Sequence, residues 1–252
     1  MKKLLFTSAC DPRETEWQRV LELTTPRMKR YAERHGYDFR MAWYGDIDHQ
    51  RFPEFKNPGP FIGDAAGRGD RLNFILWKYD RSMLAPNWLR YAVTMQALDE
   101  YDLVMYMDGD LLIGDMETDI FQGWQEGTWI ASAISGPNPP HDAGPGGPLY
   151  LTRGCPEAKA FWLKVWQGRK WITHPEWTDG VDVMDMLGYS ITSPVHKIRA
   201  TEYDSAFAEI PRDWVVWGRE PGPGKGFHMG GGNADPASKA GAIARIIKER
   251  GL

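Results

Sequence analysis

Apolar positions recur along the chain with distinct periods, and those periods predict its elements. Residues 4–9 form an apolar-led run that predicts a first buried strand. Asp11-Pro12 follows: an N-cap residue, a Pro at the first helical position, and Glu14 at capping-box spacing. Trp17, Val20, Leu21, Met28, Tyr31 and Ala32 keep a helical period, which Thr24-Thr25-Pro26 is expected to interrupt. Gly36 after His35 supplies a helix stop, and residues 37–43 predict a second strand. A β-α-β opening implies a parallel pair with a right-handed crossover.

Residues 44–73 carry Gly, Pro, Asp and Arg with little periodicity and read as a long ordered loop. Residues 87–100 predict a helix with Trp88, Tyr91, Ala92, Met95 and Leu98 on one face. Residues 103–107, LVMYM, are unbroken apolar and predict a strand buried on both faces. That strand runs into Asp108-Gly109-Asp110. Residues 129–134 and 149–152 predict short strands on either side of a Gly/Pro loop. Residues 157–167 and 178–187 read as helices, and residues 214–217 as a late strand. A second Gly/Pro loop, 221–233, precedes a final helix with Asp235 as N-cap and Pro236 in first position. No repeat and no compositional break divides the chain, so one α/β domain is expected over residues 1–252.

Composition adds limits. The 252 residues are 42% hydrophobic and 25% charged, which is ordinary globular usage. A net charge of −4 offers no general attraction for nucleic acid or an anionic membrane. No segment approaches the roughly 20 apolar residues of a membrane span, and the apolar run at residues 4–6 is short for a signal peptide. Cys10 and Cys155 form no CxxC and suggest no disulfide framework, so a cytoplasmic location is the expectation. The 12 tryptophans are unusual. Indoles stack on sugar faces, although most tryptophans serve as core or loop anchors.

The chemistry concentrates at Asp108 and Asp110. Two carboxylates two residues apart at a strand end are expected on one side of it. Oxygen ligands at that spacing suit a hard divalent cation, Mg²⁺ or Mn²⁺, which in turn holds phosphates. Gly109 lets a ligand approach the backbone. The competing reading is a plain Asp-Gly turn. A calcium EF-hand loop fails at Leu112 and Ile113. His228 lies in the second glycine-rich loop, where it is a ligand candidate or an ordinary loop residue. Thr7 and Ser8 end the first strand, at the edge where α/β folds bind nucleotides. Arg90 is either a diphosphate-bridging guanidinium or a solvated helix residue.

With β-α-β at the start and DGD after the middle strand, the chain resembles the GT-A class of glycosyltransferases. Its likeness is to the family of plant xyloglucan xylosyltransferases and yeast α-galactosyl and α-mannosyl transferases; similar features occur in the glycogenin-like and lipopolysaccharide galactosyltransferase families. Four segments carry it: YAERHGYDF (31–39), PNWLRYAVTMQALDEYDLVMYMDGDLLI (86–113), GPLYLTRG (147–154) and HMGGG (228–232). The sequence departs from the pattern at Pro145, where related families often have Asn. It also lacks the Lys-Pro-Trp that follows the metal histidine in glycogenin-like enzymes, and Lys225 and Lys239 sit at other spacings.

The resemblance implies a GT-A fold, Rossmann-like, with a mostly parallel central sheet. Residues 1–114 would form a nucleotide-binding half and residues 115–252 an acceptor and donor-sugar half. Asp110 would ligate the metal, with Asp108 on the metal or ribose and His228 as a further ligand. Thr7, Ser8, Arg90, Asp108, Gly109, Gly147 and Gly231 would face the nucleotide or donor. Asp182 resembles the acidic position that contacts the donor sugar; Asp179 is the other possibility and could equally be an N-cap, and Asp182 could serve as the base in an inverting enzyme. His141 and Asp142 are acceptor-side candidates. The implied activity is metal-dependent transfer of a hexose or pentose from a nucleotide-diphosphate sugar, UDP foremost, to a glycan or other hydroxyl acceptor, with retention.

Two other classes compete. A haloacid-dehalogenase-like phosphatase also places Asp-x-Asp after a buried strand, but wants Thr or Val where Leu112 stands and usually near the N-terminus. A carbohydrate-binding protein without catalysis would use the tryptophans and leave DGD and His228 without a role.

Overall fold

The computed structural model describes residues 1–8, 15–52, 89–122, 124–134, 144–168, 180–191, 195–217, 224–228 and 236–252. The opening unit is β1 (Lys3–Ser8), α1 (Thr15–His35) and β2 (Asp38–Ala42). β1 and β2 pair in parallel, with Leu4 opposite Asp38, as the β-α-β reading requires. Gly36 adopts φ +70°, and Tyr37 N–H bonds Ala32 O at 2.8 Å, which closes α1 as a glycine C-cap.

α1 does not break at Pro26. A helical Pro withholds one N–H, but here tertiary bonds on both sides of it hold the turn. Thr24 donates to Gly109 O at 2.7 Å, and Arg27 donates to Ile113 O at 2.6 Å. Long-range hydrogen bonds therefore override the local breaker.

Next in chain order come α2 (Leu89–Ala97), β3 (Leu103–Met107), β4 (Leu111–Ile113), β5 (Ile130–Ala133) and β6 (Leu149–Arg153). They are followed by α3 (Pro156–Gly168), α4 (Val181–Met186), β7 (Phe207–Ile210), β8 (Val216–Trp217), β9 (Gly226–His228) and α5 (Pro236–Arg250). Among the described residues, the main sheet has six strands in the order β2-β1-β3-β6-β5-β7. Of these six, only β6 runs against the rest, being antiparallel to both β3 and β5.

β3 is buried along its whole length and feeds two cores. Val104 and Tyr106 pack with Tyr91 of α2 and Trp162 of α3. Leu103, Met105 and Met107 pack on the other face with Met28 and Tyr31 of α1. The unbroken apolar run is thus a strand with a helix layer on each side. α2 also differs from its expected one-sided face. Leu89 through Met95 and Ala97 are all buried, because the helix lies between the sheet and α3.

A second, three-stranded sheet, β4-β9-β8, adjoins the first. β4 and β9 are antiparallel, with Leu111 opposite His228. Val20 of α1, Leu112, Phe227 and Ala240, Ile243 and Ile246 of α5 form the core beneath it. The chain leaves the main sheet at Met107 and enters the small sheet at Leu111, so Asp108-Gly109-Asp110 is the hinge between the two.

Candidate active site

Asp108, Gly109 and Asp110 form a tight turn, closed by Leu111 N–H to Asp108 O at 2.9 Å. Asp108 N–H is anchored to Pro148 O at 2.8 Å. The two carboxylates do not share one strand face, as alternation had suggested, because strand geometry ends at Met107. The turn sends them to different partners, and the turn reading and the carboxylate pair hold together.

On one side stands Arg90 of α2, with only 3% of its surface exposed. Burial decides against the solvated-arginine alternative. Its Nη2 donates to Gly146 O at 2.6 Å and Tyr91 Oη at 3.0 Å. Its Nη1 donates to Gly147 O at 3.2 Å and lies 3.5 Å from Asp108 Oδ1. Tyr91 and Tyr106 present their rings to the guanidinium at 5.0 and 5.3 Å. Tyr106 Oη also donates to Asp108 Oδ1 at 2.5 Å. Burial, and then the Asp108 charge, push the Tyr106 phenol well above its ordinary range, so it remains a donor. Asp108 is held by two donors fixed in the core.

The Gly144–Gly147 segment links this cluster to α4. Gly146 has φ +85°, and its N–H donates to Ser132 Oγ at 2.9 Å. A Cβ there would meet Val183 Cβ at 2.9 Å. Gly180 lies against the carbonyls of Pro145 and Gly146. Asp182 sits in the first turn of α4 and is buried, so its helix rests on the loop that Arg90 holds.

On the other side stands Asp110, also buried. Lys239 of α5 donates to its Oδ2 at 2.6 Å, with side chains 12% and 6% exposed respectively. The Lys239 ammonium also lies 5.0 Å from the Trp17 ring centre. Behind the turn, Thr7, one residue before the end of β1, has a buried hydroxyl, and a Cβ on Gly109 would come 3.7 Å from it and 2.9 Å from Leu21 Cδ2. Ser8 closes the same strand opposite Ala42.

Arg90, Asp108 and Gly147 are therefore one hydrogen-bonded cluster, with Thr7, Gly109 and Asp110 contiguous to it. His228 belongs to β9 and pairs by its backbone with Leu111, the residue after the turn. Asp179, Gly231, His141 and Asp142 lie outside the described residues, as do residues 53–73 of the expected loop and Trp88. Among the described residues, no three His, Cys, Asp or Glu side chains converge as a metal set.

Four residues escaped sequence reasoning as parts of this site. Thr24 and Arg27 tie α1 to Gly109, Ile113 and Gly114. Tyr106 holds Asp108, and Lys239 holds Asp110. Tyr106 was legible only as a strand residue. Thr24 and Lys239 act across 85 and 129 positions, where no spacing rule applies.

No protein-family model matches the sequence, and no curated protein matches it. Similarity is found among solved structures. A glycosyltransferase involved in glycosylation of the major capsid of PBCV-1 superposes with a TM-score of 0.54 at 9% identity, over 96% of this chain and 100% of that one. Mouse xyloside xylosyltransferase 1 gives 0.51 at 12% identity, over 92% and 99%. The galactosyltransferase LgtC, solved with donor and acceptor sugar analogs, gives 0.50 at 13% identity, over 98% and 95%. At such identities the likeness is one of fold.

Proposed function

We propose that this chain, which has the GT-A fold, is a glycosyltransferase. It would move a hexose or pentose from a nucleotide-diphosphate sugar, UDP first, to a glycan or other hydroxyl acceptor. The observation that carries the reading is the Asp108-Gly109-Asp110 turn, placed where the two sheets meet and held by a buried guanidinium on one flank and a partly buried ammonium on the other. A binding site for a dianionic leaving group needs fixed positive charge, and a buried hydrogen-bonded guanidinium supplies it at no reorganisation cost.

The chemistry of the donor set, two carboxylates and a histidine on either side of the sheet junction, suits a hard divalent cation such as Mn²⁺ or Mg²⁺. Asp110 already accepts a cationic head at 2.6 Å, and a histidine residue lies in register beside the turn. Asp108, Asp110 and His228 would hold the ion. When bound it would neutralise charge on the leaving diphosphate. Arg90 keeps Asp108 and the Gly146–Gly147 carbonyls in place, which sets the donor-sugar side of the site. Asp182, on the helix packed against that loop, would orient the sugar.

In the proposed step the bond from the anomeric carbon to the diphosphate oxygen breaks and a bond to the acceptor oxygen forms. The acceptor proton passes to the departing diphosphate. Attack from the leaving-group face gives retention and needs no carboxylate base. No observation favours the phosphatase or the non-catalytic reading. Among the described residues, no helix is long and apolar enough to cross a membrane.

Calorimetric titration of UDP and GDP, each with and without Mn²⁺, tests the reading. Mn²⁺-dependent binding of one nucleotide is expected, and binding of neither to folded protein would refute it. Asp110→Asn, which keeps an acceptor for Lys239 but removes the charge, should abolish transfer and lower the unfolding temperature; full activity in that variant would remove the metal assignment.

A further inference from the structure

We propose that Lys239 occupies the cation seat at Asp110, so that a divalent ion reaches this carboxylate only by displacing the ammonium. This rests on the cation-site reading of the Asp-Gly-Asp turn. The Nζ–Oδ2 distance is 2.6 Å, and both side chains are nearly sealed from solvent. Lys239 lies in the first turn of α5, and the helix is fixed by Ala240, Ile243 and Ile246 in the core under the small sheet. Its stem therefore starts from a rigid point, and in a single placement the head both bonds Asp110 and lies 5.0 Å from the Trp17 ring centre, whose quadrupole adds to its hold.

A dication on either oxygen of Asp110 would stand within a few ångströms of the ammonium held on Oδ2, and in a poorly solvated site that repulsion is weakly screened. Free metal must therefore eject Lys239 from its buried partner without offering it a new one. A metal–nucleoside diphosphate complex brings phosphate oxygens that accept the displaced ammonium. Cation and nucleotide binding thus become mutually dependent, and by linkage each raises the affinity of the other. The site discriminates against bare divalent ions and takes them with the nucleotide.

The experiment measures Mn²⁺ affinity of the full chain by calorimetry, with and without UDP, for wild type and Lys239→Met. Wild type should bind free Mn²⁺ weakly and Mn²⁺ with UDP well. Lys239→Met, which leaves Asp110 without its ammonium, should bind free Mn²⁺ roughly tenfold tighter, and UDP should enhance binding less than in wild type. Thermal unfolding of this variant should occur at lower temperature in chelator and recover on adding Mn²⁺. Should Lys239→Met not fold, Lys239→Gln keeps an N–H donor for Asp110 and carries the same comparison. A purely structural lysine would lower the unfolding temperature and leave free-Mn²⁺ affinity unchanged, which overturns the inference while wild type still binds Mn²⁺ with UDP. Absence of Mn²⁺ binding in both proteins, with and without UDP, overturns the cation-site reading itself.

Discussion

Replacing Arg90 by Met tests how much of the site is built into the core. The substitution keeps an apolar stem and removes the guanidinium. Gly146 O, bonded at 2.6 Å, and Gly147 O, at 3.2 Å, both lose a charged donor. Hydrogen bonds to charged groups contribute about 1.5–3 kcal/mol each, and a buried acceptor left alone costs a comparable amount. The Asp108 contact is longer, 3.5 Å, and its carboxylate is 26% exposed, so it adds at most about 1 kcal/mol. Partial repacking by the Met side chain offsets some of this, leaving a net loss of about 3–4 kcal/mol. That is a large share of a total in the range of about 5–15 kcal/mol. Arg90→Lys should recover only part of it, since one ammonium cannot reach two carbonyls, a phenol and a carboxylate. Urea unfolding followed by circular dichroism, in chelator, reads the loss as a lower midpoint at unchanged slope. A loss under about 1 kcal/mol for Arg90→Met, or wild-type stability for Arg90→Lys, would refute the claim that this guanidinium organises the loop.

Three further outcomes follow from the geometry. Thr24→Val deletes the donor to Gly109 O at constant shape; stability should fall by about 1 kcal/mol, and Mn²⁺-dependent UDP binding should weaken, whereas unchanged binding would mean that α1 does not set the turn. Gly146→Ala should destabilise more than Gly36→Ala in thermal unfolding. Both have positive φ, but a Cβ at 146 also meets Val183 at 2.9 Å while that at 36 meets open space; equal losses would show that backbone strain alone governs the loop. Asp115 is one acid-sensitive group: partial burial pushes its carboxyl up, but the Thr118 side chain and the N–H groups of Glu117 and Thr118 bring it below the usual range. Its contribution is complete above the unfolded carboxylate pKa of about 3.9 and is lost as pH falls through the lower folded value. Asp115→Asn should accordingly lose less stability between pH 5 and pH 3 than wild type; identical pH profiles would exclude the contribution.

Local pattern was enough to place β1, α1, β2, β3 and the last helix, because each buries a periodic apolar face or an unbroken apolar run. It also marked Asp108 and Asp110 as a carboxylate pair at the mouth of a wholly buried strand, and the structure puts them in the turn between the two sheets. The strand β7 carries too little apolar signal to be read, with only Ile210 of its four residues buried. β4 and β9 are three residues each and take their strand character from pairing with one another across more than a hundred positions.

Tertiary structure alone decided which groups hold the two carboxylates. Sequence order places Asp108 and Asp110 side by side, yet the turn between two sheets gives one to Arg90 and Tyr106 and the other to Lys239. It also let α1 continue through Pro26, a residue whose local preference is to break a helix. The physical reason is common to both. Periodicity reports which face of an element is apolar, a property of neighbouring residues. The partner of a buried charge or a missing N–H is set by whichever element the fold brings within about 3 Å, and that distance is not encoded in any local spacing.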